Sequence, residues 1–104
     1  MSDFFEVAKV SELPPGGKKL VEVDDIPVAL FNVAGEFFAI EDVCTHDGGP
    51  LAEGELDGDE IECPRHGARF NVCTGAALCM PATEPVECYE VKVEGDGIFV
   101  SVGY

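Results

Sequence analysis

Two short stretches of this chain carry side chains suited to holding a metal. One is Cys44-Thr45-His46; sixteen residues later comes Cys63-Pro64-Arg65-His66. Thiolate and imidazole bind late first-row metals well. The chain has only two histidines, and each is separated from a cysteine by one or two residues. A zinc finger usually takes two Cys from one knuckle and two His from another. Here each loop offers one of each. The four could still close a tetrahedral zinc site, whose role would be structural. They could also grip a binuclear iron–sulfur cluster from opposite sides, with both thiolates on one iron and both imidazoles on the other. That second arrangement passes one electron at a time.

Such loops need a scaffold, and the flanking sequence supplies strands. Phe4 to Val10 reads as a first strand, and Ser11-Glu12-Leu13 allows at most one helical turn before Pro14-Pro15-Gly16-Gly17 breaks it. Lys18–Val23, Ile26–Val33 and Glu36–Ile40 follow, separated by turns at Asp24-Asp25 and Ala34-Gly35. Ile61-Glu62 enters the second loop, and Ala68–Val72 leaves it with Phe70 as a core anchor. Tyr89, Val91 and Val93 alternate with charged residues, Gly95-Asp96-Gly97 turns the chain, and Ile98, Val100 and Val102 alternate again. No stretch keeps helical amphipathicity over three turns. The pattern predicts an antiparallel all-β domain whose C-terminal hairpin belongs to the base sheets.

Within the first loop, Asp47-Gly48-Gly49-Pro50 lets backbone approach a bulky inorganic core and aim N–H groups at sulfur, with Leu51 covering one side. In the second, Pro64 stiffens the backbone and Gly67 relieves crowding after His66.

At 104 residues the chain suits one domain with a modest core, and 46% hydrophobic residues make it globular. No apolar run reaches the length of a membrane span, and the N-terminus lacks a basic start and apolar run, so a cytoplasmic location is expected. A net charge of −15 argues against nucleic acid and anionic membranes as partners. Six acidic residues and no basic one lie between Glu53 and Glu62, a stretch that offers a docking face for a basic partner. Five cysteines without a secretion signal point to reduced thiols, so Cys73, Cys79 and Cys88 are read as small apolar residues in or near the core. Neither a Rossmann nor a P-loop fingerprint occurs.

The segments Cys44-Thr45-His46-Asp47-Gly48-Gly49-Pro50-Leu51 and Cys63-Pro64-Arg65-His66-Gly67 resemble the two cluster loops of Rieske proteins. The resemblance extends from about Phe4 to Val102 and is closest to the free Rieske-type ferredoxins of multicomponent ring-hydroxylating dioxygenase systems. It implies a Rieske-like antiparallel β-sandwich with a small cluster-binding subdomain inserted. Residues 1–104 would form a single Rieske domain, with 43–68 carrying the loops. Cys44, His46, Cys63 and His66 would bind one [2Fe–2S] cluster, with the His-ligated iron nearest the surface. A proline loop closes over the cluster in the family; Pro81 is the candidate here, although Cys79-Met80 replaces the usual Gly-Pro before it.

The function implied is that of a monomeric one-electron carrier, not itself an enzyme, taking electrons from an NAD(P)H-dependent flavoprotein reductase to a terminal non-haem iron oxygenase. The facial triad of such oxygenases is missing from the chain. Two rivals stand beside this reading. One is the small subunit of assimilatory nitrite reductase, which shares the fold but often lacks the ligands; the other is a zinc-stabilised interaction module. High-potential relatives carry an extra, disulfide-bonded Cys in each loop, and a Ser and a Tyr after the second His that hydrogen-bond to sulfur. The matching positions here are Gly49 and Arg65, then Ala68 and Phe70. The resemblance therefore implies a low reduction potential.

Overall fold

The structure is a computed structural model that describes residues 4–43, 51–64, 67–79 and 84–102. The described residues form ten strands in order: β1 (Phe5–Lys9), β2 (Lys18–Val23), β3 (Ile26–Val33), β4 (Glu36–Glu41), β5 (Glu55–Asp57), β6 (Glu60–Glu62), β7 (Arg69–Asn71), β8 (Ala77–Cys79), β9 (Cys88–Glu94) and β10 (Gly97–Ser101). A single 3-10 turn covers Val10–Glu12, and no α-helix occurs among the described residues. Nor does any helix there have the length and apolarity to cross a membrane.

The strands form two antiparallel sheets. The larger has six strands in the order β1-β10-β9-β4-β3-β2, and the smaller has four in the order β5-β6-β7-β8. Edge strands β1 and β2 also come into contact, so the large sheet curls over its own core. Two-residue turns set its register. Asp24 and Asp25 both have positive φ (52° and 68°), as do Ala34 and Gly35 (53° and 94°), matching the turn type that suits the right-handed twist of a hairpin. Ala34 tolerates that conformation beside a side-chain clamp. Asn32 Oδ1 accepts from the Gly35 N–H at 2.8 Å, while Asn32 Nδ2 donates to the Leu13 carbonyl at 2.7 Å.

Strand β3 is the wall that joins the two halves. Val28 and Leu30 point into one core with Val23, Ala39, Ile98 and Val100; Ala29 and Phe31 point into the other with Ile40, Leu51, Ile61 and Phe70. All four of these β3 residues are fully buried, which is why the strand reads as an unbroken apolar run and not as an alternation. Burying side chains as large as Leu30 or Phe31 contributes roughly 1.5–3 kcal/mol each. The small sheet is thereby fastened to the large one through a shared core. The C-terminal hairpin, β9 and β10, lies in the large sheet as expected.

The cysteines divide. Cys73 is half-buried against the second core, and burial pushes its thiol above its ordinary value, with Asp59 and Glu36 adding to the shift. Cys88, expected near the core, is instead exposed: it opens β9 opposite Ile40, beside the turn at Gly75. The side chain of Cys79 and the proposed cover Pro81 lie outside the described residues.

Candidate metal centre

The second of the two loops lies within the small sheet, whereas the first runs from the large sheet to the small one, and they are closed in different ways. The second loop is the tip of the β6–β7 hairpin. The Cys63 N–H donates to the Ala68 carbonyl at 2.7 Å, and the Gly67 N–H donates to the Cys63 carbonyl at 3.1 Å. Cys63 thus stands at the neck, with its side chain 1% exposed and packed with Ile61, Ala68 and Phe70. It has no disulfide partner. Gly67 has φ +76°, and a Cβ there would meet nothing nearer than Glu62 Oε2 at 3.7 Å. The backbone conformation alone favours glycine at this position.

The first loop leaves the end of β4 and returns before β5. Its ends meet at one side chain: Asp42 Oδ1 accepts from the N–H groups of Leu51 and Ala52, at 2.7 Å each. The Asp42 N–H itself donates to the Pro27 carbonyl at 2.9 Å, which ties the clasp to β3. Leu51, expected to cover the cluster, is fully buried in the second core. Just beyond it, Gly54 donates to the Leu51 carbonyl and lies so close to β6 that an added Cβ would sit 1.8 Å from the Glu62 carbonyl oxygen. The return of the first loop is therefore pressed against the residue preceding Cys63.

Of the four expected ligands, Cys63 is described, as a buried thiol at the neck of its loop. Cys44, His46 and His66 lie outside the described residues, as do Gly48, Gly49, Pro50 and Arg65. The donor chemistry fits an iron–sulfur group: a buried, unbridged thiol is at hand, and the loops bearing the other three expected ligands are fastened at their bases.

The acidic stretch is organised as well. On the β5–β6 hairpin Glu55 lies opposite Glu62, and Asp57 opposite Glu60. Like charges facing each other destabilise a sheet. Arg69 on β7 answers them, with one guanidinium nitrogen 3.3 Å from both Asp57 and Glu60 and the other 2.9 Å from Glu62. The hydrogen bonds to Asp57 and then Glu60 raise the guanidinium pKa, desolvation works against them, and Glu62 adds lesser contributions upward. Asp59 accepts a bond from Asn71 Nδ2 at 3.2 Å. Glu53 and Glu55 are exposed and have no ion-pair partner among the described residues. Arg69→Gln should therefore lower the thermal midpoint in dilute buffer. Salt near 1 M, where the Debye length shrinks to about 3 Å, should narrow the gap between variant and wild type. Melts followed by circular dichroism at both ionic strengths check this.

Asp42, Gly54 and Arg69 are the residues that sequence reasoning passed over. Arg69 left a signal, as a basic residue close behind the acidic run on a strand that alternates; Asp42 and Gly54 left little, because their partners are set by the packing of the two sheets.

Residues 3–90 match the family model of the Rieske [2Fe-2S] domain. The ferredoxin component of the naphthalene 1,2-dioxygenase system of Pseudomonas aeruginosa is 39% identical over 99 residues, 95% of each chain. The 3-phenylpropionate/cinnamic acid dioxygenase ferredoxin subunit of Escherichia coli K12 is 47% identical over 95 residues, 89% of this chain and 88% of the relative. Among solved structures, a chain from the complex of reduced oxygenase and oxidized ferredoxin in carbazole 1,9a-dioxygenase superposes with a TM-score of 0.90 at 42% identity, covering 94% of this chain and 92% of that one. With the fold, the buried thiol and these matches in agreement, the zinc alternative falls away: the chain belongs to the Rieske [2Fe-2S] family and carries one cluster of that type.

Proposed function

We propose that this protein is the ferredoxin of a ring-hydroxylating dioxygenase system, receiving single electrons from an NAD(P)H-dependent flavoprotein reductase and delivering them to a terminal non-haem iron oxygenase. The observation that carries this is the match along 95% of both chains to the ferredoxin component of such a system. Cys44, His46, Cys63 and His66 hold the cluster, on loops within residues 43–68 of a single domain spanning 1–104. When bound, the cluster supplies a one-electron couple whose reduction adds one negative charge. The chain's own part is to bury Cys63 at the neck of its loop, exclude water there with Ile61, Ala68 and Phe70, and fix the separation of the two loops.

Docking uses the acidic hairpin. Glu53 and Glu55 can accept a partner's cation without giving up an internal ion pair, whereas Asp57, Glu60 and Glu62 already share Arg69. The charge of −15 also keeps copies of the chain apart, in keeping with a monomer.

The test mixes reduced protein with the terminal oxygenase of a ring-hydroxylating dioxygenase system and follows reoxidation by stopped-flow absorbance. Transfer should slow steeply as ionic strength rises from about 0.1 M to 1 M and the Debye length falls from ~10 Å to ~3 Å. Replacing Glu53 and Glu55 with glutamine should slow it in dilute buffer. No transfer at any ionic strength would count against the function, and a flat salt profile against this docking face.

A further inference from the structure

Asp42 is the one charged residue buried among those described, at 7% exposure. Its surroundings explain the burial. The second ligand loop is a hairpin tip, and backbone hydrogen bonds close its neck. The first loop cannot be closed that way, because β4 belongs to the six-stranded sheet and β5 to the four-stranded one. No strand pairing among the described residues spans its two ends. A side chain substitutes: one carboxylate oxygen takes the N–H groups of Leu51 and Ala52, both at 2.7 Å, while the backbone of the same residue is tied to Pro27. Asp42 stands two residues before Cys44, and Leu51 five residues after His46.

We propose that Asp42 is a positioning residue for the cluster: its Oδ1 fixes where the first ligand loop leaves and re-enters the fold, and so sets the reach of Cys44 and His46. This rests on the ligand assignment above. Acceptor position is what matters, not negative charge. Asparagine can place an oxygen where Oδ1 lies, whereas glutamate keeps the charge and carries its oxygens one methylene further out. Alanine removes the acceptor altogether.

The experiment loads the full chain with its cluster and measures the rate of iron loss to a chelator, the EPR spectrum of the reduced protein, and the melting midpoint. Asp42→Ala should lose iron about tenfold faster than wild type or more, as expected when a group orienting metal ligands is removed. Asp42→Asn should stay within a few-fold of wild type with an unchanged EPR spectrum, and Asp42→Glu should lose iron faster than Asn. Asn32→Ala is the control, since it removes buried hydrogen bonds to Leu13 and Gly35, away from the loop. It should lower the midpoint without altering iron loss or EPR. A glutamate variant that outperforms asparagine would overturn the proposal, as would an Asn32→Ala protein that sheds iron as fast as Asp42→Ala. Should alanine prevent folding, the order of asparagine and glutamate still decides. Wild type that holds no iron and sulfide would defeat the ligand assignment itself; a fully loaded wild type with an indifferent Asp42→Ala would defeat only this inference.

Discussion

Gly54→Ala should cost the protein about 3 kcal/mol of stability, the upper end for forcing extra atoms into a packed interior, and most of its cluster with it. The added Cβ would stand 1.8 Å from the Glu62 carbonyl oxygen and 2.9 Å from its carbon. Both are backbone atoms of a strand, so no side-chain rotation relieves the contact. Either β5 peels away from β6, or β6 shifts and takes Cys63 with it. Net stabilities of small domains are about 5–15 kcal/mol, so such a loss is large. Gly58→Ala supplies the comparison. Gly58 has φ +64° but open space around it, so alanine there meets only backbone strain of about 1–2 kcal/mol. Denaturant midpoints and iron per chain for the two variants should differ accordingly. A Gly54→Ala protein with wild-type values would mean that the two loops are not clasped at this point.

A midpoint potential near the low end of the Rieske range is expected, and the packing around Cys63 supports the reason. Ala68 faces Cys63 directly across the neck of the hairpin, and both side chains lie in the second core. Phe70 continues the same face, fully buried. High-potential relatives carry hydroxyls at these two positions, and a donor to sulfur favours the more negative, reduced state. If one such bond differs by ~1.4 kcal/mol between oxidation states, it moves a one-electron couple by ~59 mV. Two absent bonds lower the potential by on the order of 100 mV, toward the ~−150 mV floor of the class. A cation at Arg65 works in the opposite direction, and if solvent-exposed it is screened more than a direct bond. Ala68→Ser should raise the potential, since its hydroxyl would arise beside the Cys63 sulfur; Phe70→Tyr should raise it too. Voltammetry at pH 7 giving a wild-type midpoint above about +100 mV would refute this reasoning.

Much of the fold could be read from side-chain alternation and turn residues. Lys18–Val23 and Ile26–Val33 are strands over the expected bounds, the C-terminal hairpin lies in the large sheet, and Asp24-Asp25 and Ala34-Gly35 are the turns. Strand β5 escaped notice because Glu55 and Asp57 read as part of the acidic run, and β8 because Ala77-Leu78-Cys79 holds no polar residue to alternate. A candidate donor set for the centre was legible because Cys and His at matched spacing carry their chemistry wherever the chain goes. What holds the loops was not. The bonds from Leu51 and Ala52 to Asp42, the close approach of Gly54 to Glu62, and the sharing of Arg69 by three carboxylates all follow from how the small sheet packs and pairs. The acidic run consequently looked like uniform negative charge, although three of its six carboxylates are already ion-paired.

Iron, zinc and acid-labile sulfide measured together in protein matured with iron available test the ligand assignment most directly. Wild type should contain about two irons and two sulfides per chain and no stoichiometric zinc, with both iron and sulfide lost from Cys63→Ser. One zinc per chain without sulfide, or a Cys63→Ser protein that keeps a full complement of both, would contradict it.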